Sequence, residues 1–264
     1  MRANPVKRAL KAGEASVGTW LSLGSITAAR FMARAGFAWL TVDIEHSLVD
    51  WETATHMFAS IADAGCIALA RVPSNRHENI KRVLDNGAHG IVVPMVNSRE
   101  EAETSVAACL YPPAGNRSVG GGAHALNFGA TPAEYFARAN DEVLIVLQCE
   151  HIRAVEEAEA IFSVPGIDAI FVGPNDLAAS MRSKDGRPPS AEATAQAMKH
   201  ILATCKKHKV AAGVHCYSAA EAHTRIAEGW QFIAVGSELR MMLDGAAAVL
   251  TPLRGGPAGE MAKY

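Results

Sequence analysis

Polar and charged residues recur at the ends of short apolar segments in this sequence of 264 residues. They comprise Asp43, Glu45, His46, Arg71, Gln148, Glu150, Asn175, Asp176 and His215, and Gly173 and Pro174 directly precede Asn175. Glu150 and Asp176 are carboxylates at the ends of successive segments, and such oxygen ligands suit a hard divalent cation. The cation would leave positions open for the carboxylate and keto oxygens of a 2-oxo acid and, as a Lewis acid, would stabilise its enolate.

The neighbouring residues fit the same chemistry. Arg71 can donate to the developing oxyanion, and the backbone N–H groups of residues 173–176 predict a cradle for the substrate carboxylate. A Schiff-base route to the enolate would need a partly buried lysine at a strand end. The lysines here fall in helical or loop stretches with polar neighbours, so the sequence favours a metal ion over an imine.

The segments that must position these residues alternate between short apolar runs and amphipathic helical stretches. The predicted strands are 17–23, 39–44, 67–72, 90–96, 143–149, 169–173, 211–216 and 232–236. Their near-continuous apolar character is typical of strands buried on both faces of a parallel sheet. Helix boundaries are marked by Ser98 with Glu101, which predicts a capping box, and by glycines that end helical stretches. These glycines are Gly36, Gly65, Gly87 and Gly229.

About eight β–α units without a linker favour an α/β fold, a single (β/α)8 TIM barrel. We expect one domain over residues 1–264, with a core of about 16–252 and a peripheral tail over 253–264. An open doubly wound sheet is the alternative. The glycine-rich run at 120–122 is neither a GxGxxG motif nor a Walker A loop, so no nucleotide cofactor is expected.

The composition sets further limits on partners and location. Hydrophobic residues make up 49% and charged residues 20% of the chain, and the net charge is −2. No basic cluster indicates nucleic acid, and no apolar run approaches the roughly 20 residues of a membrane span. The N-terminus lacks a signal-peptide pattern, which predicts a cytoplasmic protein. Five scattered cysteines argue against a disulfide framework and against a cysteine-zinc site.

A set of ordered motifs resembles one known family. They are Gly18-Thr-Trp20-Leu-Ser-Leu, Ala35-Gly-Phe-Ala-Trp-Leu40, Asp43-Ile-Glu45-His46, Arg71-Val-Pro73, Val93-Pro-Met-Val96, Tyr111-Pro-Pro-Ala-Gly-Asn-Arg117, Gln148-Cys-Glu150 and Gly173-Pro-Asn-Asp176-Leu. From about residue 18 to about residue 250 the chain is similar to the HpcH/HpaI aldolases, which are metal-dependent pyruvate aldolases. The resemblance implies a phosphoenolpyruvate/pyruvate-type barrel, and a hexamer in which the C-terminal helix is exchanged between subunits.

The resemblance also implies roles for individual residues. Glu150 and Asp176 match the two metal ligands, and Arg71 matches the arginine that contacts the keto oxygen of pyruvate. His46 matches a histidine near the reacting hydroxyl, with metal-bound hydroxide as the alternative base. Asp85 matches an aspartate that supports this histidine, within the chain or across a subunit boundary, although a merely solvated aspartate is the other interpretation.

Further matches concern the surroundings of the metal and the substrate. Asp43 and Glu45 match carboxylates that orient metal-bound water, and Gln148 matches a residue that lines the pyruvate site. Gly173, Pro174 and Asn175 belong to the substrate site in this reading, as does Trp20, for which packing is the alternative. Oxygen ligands allow Mg²⁺, Mn²⁺ or Co²⁺.

The chain departs from the family pattern at two places. Many relatives carry a serine after the glycine in the loop that follows Arg117, where this chain has the run 120–122 and then His124. His215 stands where the relatives have an apolar residue. Both departures are expected to bear on the acceptor aldehyde. The family match implies reversible cleavage of a 4-hydroxy-2-oxo acid to pyruvate and an aldehyde, through a pyruvate enolate.

Three other functions remain open at this point. A citramalyl- or malyl-CoA type lyase would need a basic surface for the CoA phosphates, and the rim residues include no such cluster. Macrophomate-synthase-like decarboxylation of oxaloacetate with C–C bond formation stays possible because of the shared Arg117-Ser-Val-Gly-Gly sequence. A barrel that binds an oxo acid without catalysis would not need the carboxylates, His46 and Arg71 together.

Overall fold

A computed structural model of the protein describes residues 1–254. Eight strands form a closed parallel barrel in sequential order, β1 to β8, and β8 pairs again with β1. The strands are β1 Ser16–Leu21, β2 Trp39–Asp43, β3 Ile67–Arg71, β4 Gly90–Val93, β5 Leu144–Gln148, β6 Ala169–Val172, β7 Ala211–Cys216 and β8 Phe232–Ser237. The predicted (β/α)8 TIM barrel is therefore confirmed, and the open sheet is wrong.

Helices surround the barrel. They are α1 Pro5–Lys11, α2 Ile26–Met32, α3 Trp51–Asp63, α4 His77–Asp85, α5 Arg99–Cys109, α6 Ala123–Asn127, α7 Pro132–Glu142, α8 Ile152–Glu156, α9 Ala158–Phe162, α10 Pro174–Ser180, α11 Ala191–His208, α12 Ala219–Glu228 and α13 Glu238–Arg254. The core of 16–252 and the tail of 253–264 remain predictions. Helix α13 includes Leu253 and Arg254, and the rest of the predicted tail lies outside the described residues.

Two apolar layers hold the elements together. One fills the inside of the barrel, where the rings of Trp39 and Phe232 stack with centroids 4.1 Å apart. The other lies between the strands and the surrounding helices. Inward-facing side chains of a TIM barrel stack in layers, so the uppermost inward residues form the floor of the mouth at the C-terminal strand ends.

The strand ends differ from the predicted ones for reasons that the contacts supply. The first strand ends at Leu21 because the N–H groups of Ser22 and Leu23 donate to the Glu238 carboxylate, at 2.5 and 2.8 Å. The fourth strand ends at Val93 because a proline follows it and Met95 adopts a φ of 54°.

The glycine signals are confirmed, since all four predicted helix-ending glycines have positive φ. The capping box at Ser98 is only half formed. The Ser98 hydroxyl accepts from the Glu101 N–H, whereas the Glu101 carboxylate accepts from Asn97 N at 2.6 Å rather than from Ser98. Both halves of a capping box are present at Thr131 and Glu134, at the start of α7.

Helix α1 closes the N-terminal end of the barrel, opposite the predicted site. Lys7 Nζ donates to Val143 O at 2.7 Å and to Asp168 Oδ2 at 2.9 Å. Val143 and Asp168 directly precede β5 and β6, which places this buried lysine at the opposite end from the carboxyl ends of the strands. Among residues 1–254, none of the helices combines the length and apolar composition that a bilayer crossing requires.

Candidate functional site

Arg71 is the centre of a charged cluster at the ends of β2 and β3. Its Nε and Nη2 atoms donate to the two oxygens of Asp43 at 2.9 and 2.6 Å, and Nε lies 3.3 Å from Glu45 Oε2. The guanidinium also stacks over the Trp20 ring, 4.7 Å from its centroid. Burial alone would disfavour its charge, but the two carboxylates reverse this and raise the pKa of Arg71. Arg71 is thus a fixed cation, oriented from three sides.

Asp43 organises the turn that follows β2. Its Oδ1 atom accepts from the N–H groups of Glu45 and His46 at 3.1 and 3.2 Å, in addition to Arg71. These contacts occupy most of the lone pairs of its carboxylate. Asp43 therefore shapes the loop and holds Arg71. Its predicted role in orienting a metal-bound water stays a prediction, for which Glu45 is the freer of the two carboxylates.

Glu150 is a buried carboxylate just after β5, only 3% exposed. Its Oε1 accepts from the backbone N–H of Met95 at 2.9 Å, and its Oε2 accepts from Gln148 Nε2 at 2.5 Å. Burial raises the pKa of Glu150 to about 7; the Met95 N–H opposes this shift, and the charge of Asp176 adds to it. A negatively charged Glu150 at this buried position therefore needs a neighbouring cation to stabilise it.

Gly173 allows Glu150 and Asp176 to approach the same point. A Cβ added to Gly173 would lie 2.7 Å from Glu150 Oε2 and 3.7 Å from Asp176 Oδ2. Both carboxylates thus lie over one bare stretch of backbone at the end of β6. The cradle predicted for 173–176 is smaller than expected, because Pro174, at the first position of α10, has no N–H to donate.

The donor set at this point fits a divalent cation. Two carboxylates converge on it, and Gln148 Oε1 is buried without a hydrogen-bond partner in the described part of the chain. Burial also raises the pKa of Glu45, to which the charges of Asp43 and Asp176 add. Within residues 1–254 no three His, Cys, Asp or Glu side chains are arranged to hold a metal. Two carboxylates would therefore be its protein ligands, with other positions left for water or substrate.

His46 lies at the rim of the mouth. Its side chain is 66% exposed, and Nε2 is 3.8 Å from Glu45 Oε2. The imidazole is therefore accessible to a substrate that enters from solvent, and the neighbouring Glu45 carboxylate orients the ring.

His215 and Asn175 occupy the opposite side of the mouth, and Tyr217 joins them. The Tyr217 hydroxyl donates to Asn175 Oδ1 at 2.8 Å, and its ring meets the His215 ring edge-on with centroids 5.2 Å apart. The sequence does not single out Tyr217, because an aromatic residue after a strand is more often a packing residue than a charged one is. The sequence does not indicate the part of Met95 in the site either, since a methionine side chain gives no sign of a left-handed backbone.

Asp85 and His124 belong to a second cluster, on the helices outside the barrel. The Asp85 carboxylate accepts from Arg117 Nη2 at 2.7 Å, and Arg117 Nη1 donates to the Tyr135 hydroxyl at 3.0 Å. His124 Nδ1 lies 3.2 Å from Asp85 O and packs against the Tyr135 ring. In the described residues of one chain, no hydrogen bond or ion pair links Asp85 to His46.

Comparisons with known proteins agree with one another. The sequence profile of the family described as HpcH/HpaI aldolase/citrate lyase matches residues 16–245. A hydroxypyruvate/pyruvate aldolase of Paraburkholderia phytofirmans is 37% identical over 258 residues, which cover 95% of this chain and 98% of that protein. A 5-keto-4-deoxy-D-glucarate aldolase of Shigella dysenteriae is 35% identical over 237 residues, 89% of this chain and 91% of that protein.

A solved structure has the same architecture over nearly the whole chain. It is an HpcH/HpaI aldolase/citrate lyase family protein from Burkholderia cenocepacia, with a TM-score of 0.87 and 33% sequence identity. The superposition covers 96% of this chain and 100% of the other.

Proposed function

This chain belongs to the HpcH/HpaI aldolase/citrate lyase family, and from that membership we propose that it reversibly cleaves a 4-hydroxy-2-oxo acid into pyruvate and an aldehyde. It is a carbon–carbon lyase of the aldolase type, as the sequence predicted. The observation that carries the proposal is the convergence of Glu150 and Asp176 over Gly173, with the Arg71 guanidinium fixed at the same mouth.

We assign binding of the cation to Glu150 and Asp176. A divalent ion held there, Mg²⁺, Mn²⁺ or Co²⁺, supplies a Lewis acid that stabilises the enolate of a 2-oxo acid. Gln148 holds Glu150 in place through its amide N–H and leaves its carbonyl oxygen free to face the substrate. The N–H groups of Asn175 and Asp176 remain as donors for the substrate carboxylate.

Arg71 is assigned to the keto oxygen of the substrate. Because Asp43 and Trp20 already fix the guanidinium, it needs little reorganisation when negative charge develops on that oxygen. Donors that are positioned in advance are worth more than flexible ones in such a site.

We assign the proton of the 4-hydroxyl group to His46. In cleavage, its imidazole accepts this proton, the C3–C4 bond breaks, and the bonding electrons pass into the enolate while the aldehyde leaves. The enolate is then protonated at C3 to give pyruvate. The exposed position of His46 at the rim suits contact with the aldehyde end of the substrate.

The names of the relatives support a 2-oxo acid as one of the two products. They are hydroxypyruvate/pyruvate aldolase and 5-keto-4-deoxy-D-glucarate aldolase. We propose a homo-oligomer for this chain, a hexamer in which α13 is exchanged between subunits. The support is that α13 has its main contacts with β1 and β8, where it begins, and presents Met242, Val249 and Leu253 to solvent.

The test is a panel of 4-hydroxy-2-oxo acids, scored for release of pyruvate with and without a strong chelator. We expect Glu150→Gln to lose about a hundredfold or more in metal-dependent turnover while its thermal unfolding stays cooperative. Glu159→Gln, at an exposed position on α9, is the matched control and should retain wild-type turnover. Full activity after removal of divalent ions would contradict the proposal.

A further inference from the structure

Among residues 1–254, His215 on β7 is the one histidine at the floor of the barrel mouth to which the proposed mechanism gives no task. Its orientation follows from Gly213, two positions earlier, where an added Cβ would lie 3.1 Å from Phe171 Cδ2 and 3.1 Å from Phe232 Cβ. Phe171 and Phe232 belong to the cluster inside the barrel. Because residues two apart on a strand point to the same face, His215 also points into the barrel.

Small residues leave open space beside the His215 ring. Its partner in register on β8 is Ala234. On β6, Gly173 follows the pair Val172–Val214 and so stands next to His215. A Cβ on Gly236, further along β8, would meet nothing within 4 Å. The imidazole therefore borders small residues on both neighbouring strands, and the side chain that lies over Gly173 is that of Glu150.

The ring has unused hydrogen-bonding capacity. Within residues 1–254 it packs edge-on against Tyr217 and makes no side-chain hydrogen bond. Burial, together with the nearby charge of Arg71, lowers the pKa of His215 to about 4. At neutral pH the ring is thus uncharged and offers one N–H donor and one nitrogen acceptor, the pair of functions that a hydroxyl group can satisfy.

The position of His215 indicates which part of the substrate it meets. His46 and Tyr217, at the rim, are 66% and 51% exposed and face the entering aldehyde. His215 lies deeper, two strands from Glu150, a separation of about 10 Å between backbones. The side chains of Glu150 and His215, with a three-carbon acid between them, span this distance. Arg71 takes the oxygen on C2, and the N–H groups at the start of α10 take the C1 carboxylate. C3 is then the carbon whose substituent is left to meet His215.

We propose that His215 determines the selectivity of this enzyme for its 2-oxo acid by hydrogen bonding to a hydroxyl group on C3. The inference rests on the proposed aldolase function and refines it, since the nucleophile would be a 3-hydroxy-2-oxo acid in preference to pyruvate. It also moves His215 from the acceptor aldehyde, to which the sequence assigned it, to the 2-oxo acid.

The test measures exchange at C3 without any aldehyde. The metal-loaded enzyme is incubated in deuterium oxide with pyruvate or with hydroxypyruvate, and NMR follows replacement of the C3 protons. In this step a C3 proton passes to a base and a deuteron returns, so no other bond is broken. We expect the ratio of the exchange rates, hydroxypyruvate over pyruvate, to fall about tenfold or more in His215→Leu, as for loss of one hydrogen bond.

A conservative variant separates hydrogen bonding from packing. His215→Gln keeps a donor and an acceptor, so its ratio should stay within about threefold of wild type. If the wild type exchanges neither acid, the proposed function fails and this inference fails with it. If pyruvate exchanges normally but the ratio in His215→Leu equals that of wild type, only the role of His215 is overturned.

A second measurement needs no variant and covers the case in which His215→Leu does not fold. The wild type is compared on hydroxypyruvate and on 2-oxobutanoate, which carries a methyl group in place of the hydroxyl. Because burying a neutral imidazole against a methyl group leaves its donor unpaired, we expect at least about tenfold faster exchange for hydroxypyruvate. Equal rates, or a preference for 2-oxobutanoate, would overturn the inference.

Discussion

At the scale of single residues, the candidate site depends on a bare backbone between two carboxylates. Gly173 is not required there for backbone freedom, because its φ of −89° is open to other residues. It is required for space, since any side chain would collide with Glu150 Oε2 at 2.7 Å. The glycine therefore belongs to the site as much as the charged residues do.

A substitution at this residue tests the point. We expect Gly173→Ala to displace the Glu150 carboxylate and to weaken Mn²⁺ binding by about 10–100-fold, as loss of a supporting contact does in metal sites. Calorimetric titration with Mn²⁺ measures this directly, without reliance on turnover. Gly245→Ala is the control, because an added Cβ there meets nothing within 4 Å. Equal affinity in Gly173→Ala and wild type would remove Gly173 from the site.

The sequence singled out residues most readily where their type limits their chemistry. Glu150, Asp176 and Arg71 stood out because a carboxylate or a guanidinium at a strand end has few structural explanations. The sequence did not indicate that Asp43 holds Arg71 with both oxygens, or that Met95 binds Glu150 through its backbone. Such contacts depend on which strand ends meet across the mouth, and the residue types alone do not specify the partner.

At the scale of elements, the alternation of apolar and amphipathic segments predicted all eight strands. It predicted their ends less well, because the ends are decided by contacts with distant parts of the chain. Glu238, for example, takes the N–H groups that would have extended β1, from more than two hundred residues away. A local pattern carries no information on a partner at that separation.

Helix α1 offers a test at this scale. It plugs the N-terminal end of the barrel through the Lys7–Asp168 ion pair, in which both side chains are 8% exposed. We expect Lys7→Met to lower the free energy of unfolding by about 3 kcal/mol, because it leaves a buried carboxylate without its partner. Urea denaturation measures the change.

Two controls accompany this prediction. Lys11→Met, at an exposed position on the same helix, should cost less than about 0.5 kcal/mol. The double variant Lys7→Met with Asp168→Asn should recover at least half of the loss, because the unpaired charge is removed. A loss of similar size in Lys7→Met and Lys11→Met would show that the ion pair contributes little.

At the scale of the whole molecule, helix α13 of a single chain exposes apolar side chains to solvent. Val249 is 65% and Leu253 is 77% exposed. We expect the wild type to be an oligomer and Val249→Asp to shift it to smaller species, because a buried unpaired charge at an interface costs several kcal/mol. Light scattering after size exclusion gives the mass. Ala195→Asp, at an exposed position on α11, is the control. A monomeric wild type would contradict the proposed assembly.

The stability of the whole barrel should also depend on pH through His89. This histidine, just before β4, is 5% exposed, and its Nδ1 accepts from the Ala68 N–H at 3.3 Å. Burial lowers its pKa to about 4, whereas an unfolded histidine titrates near 6.5. Below about pH 6.5, His89 is therefore protonated in the unfolded chain but remains neutral in the folded chain. The free energy of unfolding consequently decreases as the pH falls from about 6.5 towards 4.

The size of the expected pH effect follows from the difference between the folded and unfolded pKa values of His89. Between pH 7.5 and pH 5, His89 should account for about 2 kcal/mol of lost stability. Urea denaturation of wild type and His89→Gln at both pH values isolates this share, since all other groups titrate alike in the two proteins. The loss on acidification should be smaller in His89→Gln by that amount, and unchanged in His56→Gln, at an exposed position on α3. An identical loss in all three proteins would mean that the folded barrel accommodates a charged imidazole at position 89.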